Sequence, residues 1–120
     1  MNKTVMIIDD SQFMRNLIKG RIVENGYDVI AEAGSGEEAI ELYKIHLSAI
    51  VLSDITLPGL DGIATLKEIK KINPNVHVIM CSSLGTQDLI IAALQNGASD
   101  FIVKPFFDNL IPALNKLTMK

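Results

Sequence analysis

Val76-His77-Val78-Ile79-Met80-Cys81 is an apolar, largely β-branched run with a single polar interruption. A strand with one face in water alternates polar and apolar residues; this run does not, so it reads as a strand covered on both faces. Four more short runs have the same character, at residues 5–8, 27–31, 49–53 and 100–103. Longer stretches with helically spaced apolar residues separate them. That alternation predicts an α/β fold: five βα units forming a three-layer, doubly wound parallel sheet in one domain over residues 1–120. Right-handed crossovers leave few topologies, all with ligand chemistry at the carboxyl ends of the strands.

The intervening stretches carry helix start and stop signals. The first helix is expected from near Ser11 to Asn25-Gly26, with Phe13, Leu17, Ile18 and Ile22 as its apolar residues. Ser35 followed by Glu38 predicts a capping box, in which each side chain accepts the other residue's backbone N–H. The third helix follows Asp61-Gly62, lays Ile63, Leu66, Ile69 and Ile72 on one stripe, and ends before Asn73-Pro74. The fourth runs from Thr86 to Asn96-Gly97, and the fifth begins near Asp108 with Pro112 in or near its first turn. In the fourth helix the run Leu89-Ile90-Ile91-Ala92-Ala93-Leu94 exceeds one buried stripe, which marks Ile91 as a candidate partner contact.

Composition narrows the function. The chain has 120 residues, 48% of them hydrophobic and 21% charged, enough apolar material for one substantial core. No apolar stretch approaches the roughly twenty residues of a membrane span. Asp9 and Asp10 interrupt the first apolar run too early for a signal peptide, so a cytoplasmic protein is expected. The net charge of −3, with no basic run, argues against nucleic acid as a partner. Cys81 is the sole cysteine; it excludes an internal disulfide and reads as a small buried apolar residue.

The predicted strand ends bring Asp9-Asp10, from the first strand, and Asp54, from the third, to one edge of the sheet. Taken singly, an acid at such a place is more often a helix cap or a solvated turn residue. Three converging acids repel one another unless a cation compensates, and a hard divalent ion such as Mg²⁺ suits oxygen ligands. Lys104 follows the fifth strand, where its ammonium could reach the same edge or remain an ordinary solvated lysine. Ser82 and Ser83 close the fourth strand, as hydroxyl donors or as small turn residues.

Together, Asp9-Asp10, Asp54 before Ile55-Thr56-Leu57-Pro58-Gly59, Ser82 and Lys104-Pro105 resemble the response regulator receiver family, across essentially the whole chain. The segments Asp9-Asp10-Ser11-Gln12-Phe13-Met14-Arg15 and Asp100-Phe101-Ile102-Val103-Lys104-Pro105-Phe106 are most similar to those of its stand-alone chemotaxis-type members. The resemblance implies a flavodoxin-like sheet of strand order 2-1-3-4-5. It implies Asp54 as phosphoacceptor, and Asp9, Asp10, Asp54 and the backbone carbonyl of Thr56 as ligands of Mg²⁺. Ser82 and Lys104 match the groups that hold the phosphoryl oxygens, and Phe101, with Ser82, the switch. Phe101 stands where some relatives have tyrosine, and Ser82 where threonine is frequent.

The implied protein is a monomeric signalling switch that catalyses its own phosphorylation and dephosphorylation without turning over a separate substrate. Its implied partners are a sensor histidine kinase, a phosphatase, and a downstream target such as a flagellar motor switch protein, bound through helix 4, strand 5 and helix 5. A phosphohydrolase with an aspartyl nucleophile is the competing enzyme reading. Asp54-Ile55-Thr56 lacks the second acid that haloacid-dehalogenase-like enzymes place two residues on. A binding module independent of phosphorylation is a second alternative, opposed by the full set of ionic residues. A flavodoxin-like electron carrier is a third, and acids follow the first strand where a flavin phosphate would need N–H and hydroxyl donors.

Overall fold

A computed structural model describes residues 2–104 and 107–118. Five parallel strands, β1 (Thr4–Ile8), β2 (Asp28–Ala33), β3 (Ile50–Asp54), β4 (His77–Ser82) and β5 (Asp100–Val103), form one sheet in the order β2-β1-β3-β4-β5. They alternate with α1 (Gln12–Val23), α2 (Gly36–His46), α3 (Gly62–Ile72), α4 (Gln87–Gln95) and α5 (Leu110–Thr118). The expected doubly wound fold is observed, and none of these helices is long and apolar enough to cross a membrane.

Strand side chains alternate between two cores. Met6, Ile8, Val51, Val78 and Met80 pack with Ala39 and Tyr43 of α2, Leu66 and Ile69 of α3 and Ala93 of α4. Val5, Ile7, Ile50, Leu52, Ile79 and Cys81 pack with Ile18 and Ile22 of α1 and Leu110, Ala113 and Leu114 of α5. Both faces are therefore apolar, which is why the strand runs show no polar alternation.

Capping explains where the helices begin. Ser11 accepts the Met14 N–H at 3.2 Å, Asp61 that of Ala64 at 2.8 Å, and Thr86 that of Leu89 at 3.4 Å. Ser35 likewise accepts the Glu38 N–H at 3.2 Å. The return half of the predicted capping box is shifted by one residue: Glu38 Oε1 accepts the Gly34 N–H at 2.7 Å. Gly26 and Gly97 follow α1 and α4 with φ of +89° and +102°, the left-handed region that glycine enters freely. A short 3₁₀ turn, Phe107–Asn109, precedes α5 and leaves Pro112 as its third residue, within the first turn.

Two local expectations change. Phe13 and Leu17 of α1 are 75% and 41% exposed, so they do not join the buried stripe. That stripe is Met14, Ile18 and Ile22, spaced by four residues, while Phe13 and Leu17 form a second i, i+4 pair turned about 100° away. Strand boundaries also move. Tyr27 precedes β2, buried with its hydroxyl donating to Asn115 Oδ1 at 2.8 Å, and Asp54 and Ser82 are the last residues of their strands rather than followers of them.

Candidate functional site

β1 and β3 pair in parallel with Ile8 opposite Ser53, so Asp9, just after β1, and Asp54, the last residue of β3, leave the sheet side by side. Asp54 also pairs with Cys81 of β4, and Ser82 with Val103 of β5, which brings Lys104 to the same edge. Lys104 is anchored by its backbone, its N–H donating to the Ser82 carbonyl at 2.7 Å.

Every polar atom of Asp9 has a partner. Its N–H donates to the Ala33 carbonyl at 3.0 Å, Oδ1 accepts the Ser11 N–H at 2.9 Å, and Oδ2 accepts from Lys104 Nζ at 2.6 Å. The Asp9 carbonyl accepts from Arg15 Nη1 at 2.5 Å. Asp54 Oδ2 takes a second Lys104 hydrogen bond at 3.1 Å, and its Oδ1 accepts the Thr56 N–H at 3.2 Å. Asp9, Asp54 and Ser82 are buried, whereas Asp10 and Thr56 are exposed. The Ser82 hydroxyl oxygen accepts the Leu84 N–H at 3.0 Å.

Burial pushes the Asp54 carboxyl above its ordinary range; the Lys104 hydrogen bond and charge oppose this, and the Asp9 charge adds to it. For Lys104, burial alone would favour the neutral amine, but hydrogen bonds and attraction to Asp9 and Asp54 outweigh it and raise the pKa. The ammonium thus stands between two buried carboxyl groups as their shared counter-charge.

The chemistry of the donor set fits a hard cation. Asp9, Asp10 and Asp54 each offer a carboxylate oxygen, and the three atoms lie within 4.8 Å of one another. Opposite oxygens around a small octahedral ion stand roughly 4 Å apart.

Phe101 lies on β5, half-buried against the core beneath α2, α3 and α4. It borders a cavity of about 200 Å³ between β5 and α5, with Asn109, Pro112 and Lys116 on the other wall. A larger cavity, about 270 Å³, opens near Asn2, Leu47, Ala49 and His77, at the amino ends of the strands and away from the acids. The carboxylate chemistry, not cavity size, locates the candidate site. Pro105 and Phe106 of the sequence motif lie outside the described residues.

Some contributors to the site have only weak sequence signals. Arg15 lies one turn into α1, and helical side chains lean toward the N-terminus, which is the direction of Asp9. Glu37 opens α2 and accepts the Leu60 N–H at 3.2 Å, tying down the loop after β3. Gly62 packs so closely under the Asp54 carbonyl that a Cβ there would come within 3.0 Å of backbone atoms.

Comparison with known proteins agrees with this geometry. The model of the response regulator receiver domain matches residues 5–115. The chain is 50% identical to the chemotaxis protein CheY of Bacillus subtilis over 117 residues, covering 97% of this chain and 98% of that one. It is 48% identical to CheY of Thermotoga maritima over 119 residues, covering 98% and 99%. Among solved structures, the CheX–CheY–BeF₃–Mg²⁺ complex of Borrelia burgdorferi matches with a TM-score of 0.92 at 37% identity, covering 98% of this chain and 90% of that one. A match along nearly the full length of such relatives, at up to half-identity, carries more than the fold: the chain belongs to the response regulator receiver family, as a CheY-type phosphoacceptor domain of two-component signalling.

Proposed function

We propose that residues 1–120 act as a single receiver domain in which Asp54 accepts a phosphoryl group from a phosphohistidine of a sensor histidine kinase. The observation that carries this reading is the Lys104 ammonium bridging Asp9 and Asp54 beside Asp10. A carboxylate nucleophile, a cation for the phosphoryl oxygens and a hard-metal donor set then share one edge.

In the reaction, an Asp54 carboxylate oxygen attacks phosphorus in line with the P–N bond of the donor. That bond breaks, its electron pair returns to the imidazole nitrogen, and an acyl phosphate forms on Asp54. Asp9, Asp10, Asp54 and the Thr56 carbonyl would hold Mg²⁺, which would supply positive charge beside the transferring group. Lys104 passes its second hydrogen bond from Asp54 Oδ2 to a phosphoryl oxygen while keeping Asp9. Ser82 turns its hydroxyl from the loop toward another phosphoryl oxygen. Water then attacks the same phosphorus, the P–O bond to Asp54 breaks with its electron pair returning to the carboxylate, and inorganic phosphate leaves, so the chain is a switch that resets itself, with no separate substrate.

The movement of Ser82 frees space into which Phe101 turns, and the α4–β5–α5 face changes shape. Ile91, 42% exposed, and Leu94, 47% exposed, belong to α4 and would meet the downstream protein. A flagellar motor switch protein suits a chemotaxis-type member, a phosphatase would shorten the signal, and a protein of the CheX kind, which the Borrelia burgdorferi structure pairs with CheY, is a further candidate partner. On this reading the chain works in the cytoplasm as a monomer.

A radiolabelled phosphohistidine domain mixed with the chain and Mg²⁺ tests the proposal. Label should move onto the chain in an acid-stable, hydroxylamine-labile bond and fail to move onto Asp54→Asn. Transfer to the Asn variant at the parent rate would contradict the assignment.

A further inference from the structure

We infer that Arg15 is a positioning residue for the cation site, acting through the peptide that joins Asp9 to Asp10; this rests on the reading of those acids as Mg²⁺ ligands. Asp10 is the exposed member of the acidic set, and the direction of its carboxylate depends on the plane of the Asp9–Asp10 peptide. Arg15 Nη1 holds the carbonyl oxygen of that plane at 2.5 Å.

The guanidinium is itself fixed. Nε donates to Glu32 Oε1 at 3.3 Å, from the penultimate residue of β2, and Glu32 Oε2 is held by Lys19 at 3.2 Å. The Arg15 side chain is only 17% exposed. It lies against Gly34, where even a methyl group would stand 3.6 Å from Nη1. A planar fork, pinned by a carboxylate at one end and a carbonyl at the other, has little freedom, and neither does the peptide it grips.

Charge and position make opposite predictions here. A cation next to a metal site weakens metal binding by repulsion, so deleting Arg15 for its charge alone would tighten Mg²⁺. Loss of positioning loosens it, and groups that orient metal ligands are commonly worth ten- to a hundredfold in affinity. Arg15→Ala is therefore expected to bind Mg²⁺ about tenfold more weakly than the parent. Arg15→Lys keeps the charge without the planar fork and should also bind more weakly.

Calorimetric titration of the metal-free chain with Mg²⁺, with circular dichroism to verify folding, is the test. Affinity within about twofold of the parent, or tighter, in a folded Arg15→Ala would overturn the inference. If Arg15→Ala does not fold, Arg15→Lys decides by the same criterion. Asp10→Asn separates the two readings: a parent that binds no Mg²⁺, or binds it undiminished in Asp10→Asn, sinks the site assignment and the inference with it. A parent that loses Mg²⁺ in Asp10→Asn but not in the Arg15 variants sinks the inference alone.

Discussion

Lys104 Nζ lies 2.6 Å from Asp9 Oδ2 and 3.1 Å from Asp54 Oδ2, so one ammonium compensates two carboxylates contributed by different strands. All three side chains are at most 11% exposed, which makes this contact unlike the solvent-facing pairs Lys44–Glu41 and Lys71–Glu68. Removing one member of a buried ionic cluster leaves the others uncompensated. Lys104→Ala should lower metal-free stability by about 3 kcal/mol, and saturating Mg²⁺ should restore part of it. Urea unfolding with and without Mg²⁺ measures both; no loss without metal would contradict the pairing.

Asp54→Asn should act in the opposite direction. Burial raises the folded-state pKa of Asp54, so on raising the pH the unfolded chain releases this proton first. Stability therefore falls as pH climbs from the ordinary aspartate range through the raised folded value, and the deficit persists at neutral pH. The Asn variant has no such proton to lose. Its metal-free melting temperature should exceed the parent's at neutral pH, and the gap should close below the ordinary aspartate range.

Cys81 governs part of the alkaline limb. Its buried thiol is pushed up to about 12, against 9.0 for a free thiol. Above the lower value only the unfolded state ionises, so stability falls by about 1.4 kcal/mol per pH unit until the folded thiol titrates. Cys81→Ala should flatten this limb while losing some packing at neutral pH. Native Cys81 should also resist alkylation until the chain unfolds.

The switch proposed for Phe101 can be tested by fluorescence, because the chain contains no tryptophan. In Phe101→Trp, Mg²⁺ with beryllofluoride should shift the indole emission as the ring changes its burial. The shift should be absent when Asp54→Asn is added. A signal unaffected by that second change would detach Phe101 from the site.

Gly62 sets the floor under Asp54. A Cβ at this position would come within 3.0 Å of the Asp54 carbonyl and Ile55 backbone, so Gly62→Ala must displace the segment that carries Asp54. Overpacking of this kind costs about 1–3 kcal/mol. The variant should lose both stability and Mg²⁺ affinity, measured by urea midpoint and calorimetry.

The strands were legible because both faces of the sheet are apolar, and the helices because Ser11, Ser35, Asp61 and Thr86 cap them as their residue types suggest. Convergence of Asp9, Asp10 and Asp54 follows from parallel strands ending at one edge. Phe13 misled because apolar identity does not fix helical phase: the four-residue spacing of Phe13 and Leu17 is as regular as that of Ile18 and Ile22, and only packing chooses between them. Glu38 misled because a carboxylate at that position reaches either of two adjacent N–H groups. Arg15 was hidden for a different reason, since its partner is a backbone carbonyl and every residue has one.

Intact mass spectrometry of the chain after incubation with Mg²⁺ and acetyl phosphate tests the central claim most directly. Parent protein should gain a single phosphoryl group, with no gain when Mg²⁺ is chelated or when Asp54 is replaced by Asn. No adduct on the parent, with beryllofluoride also failing to bind and rapid self-hydrolysis thereby excluded, would contradict the account; so would an adduct that persists in Asp54→Asn.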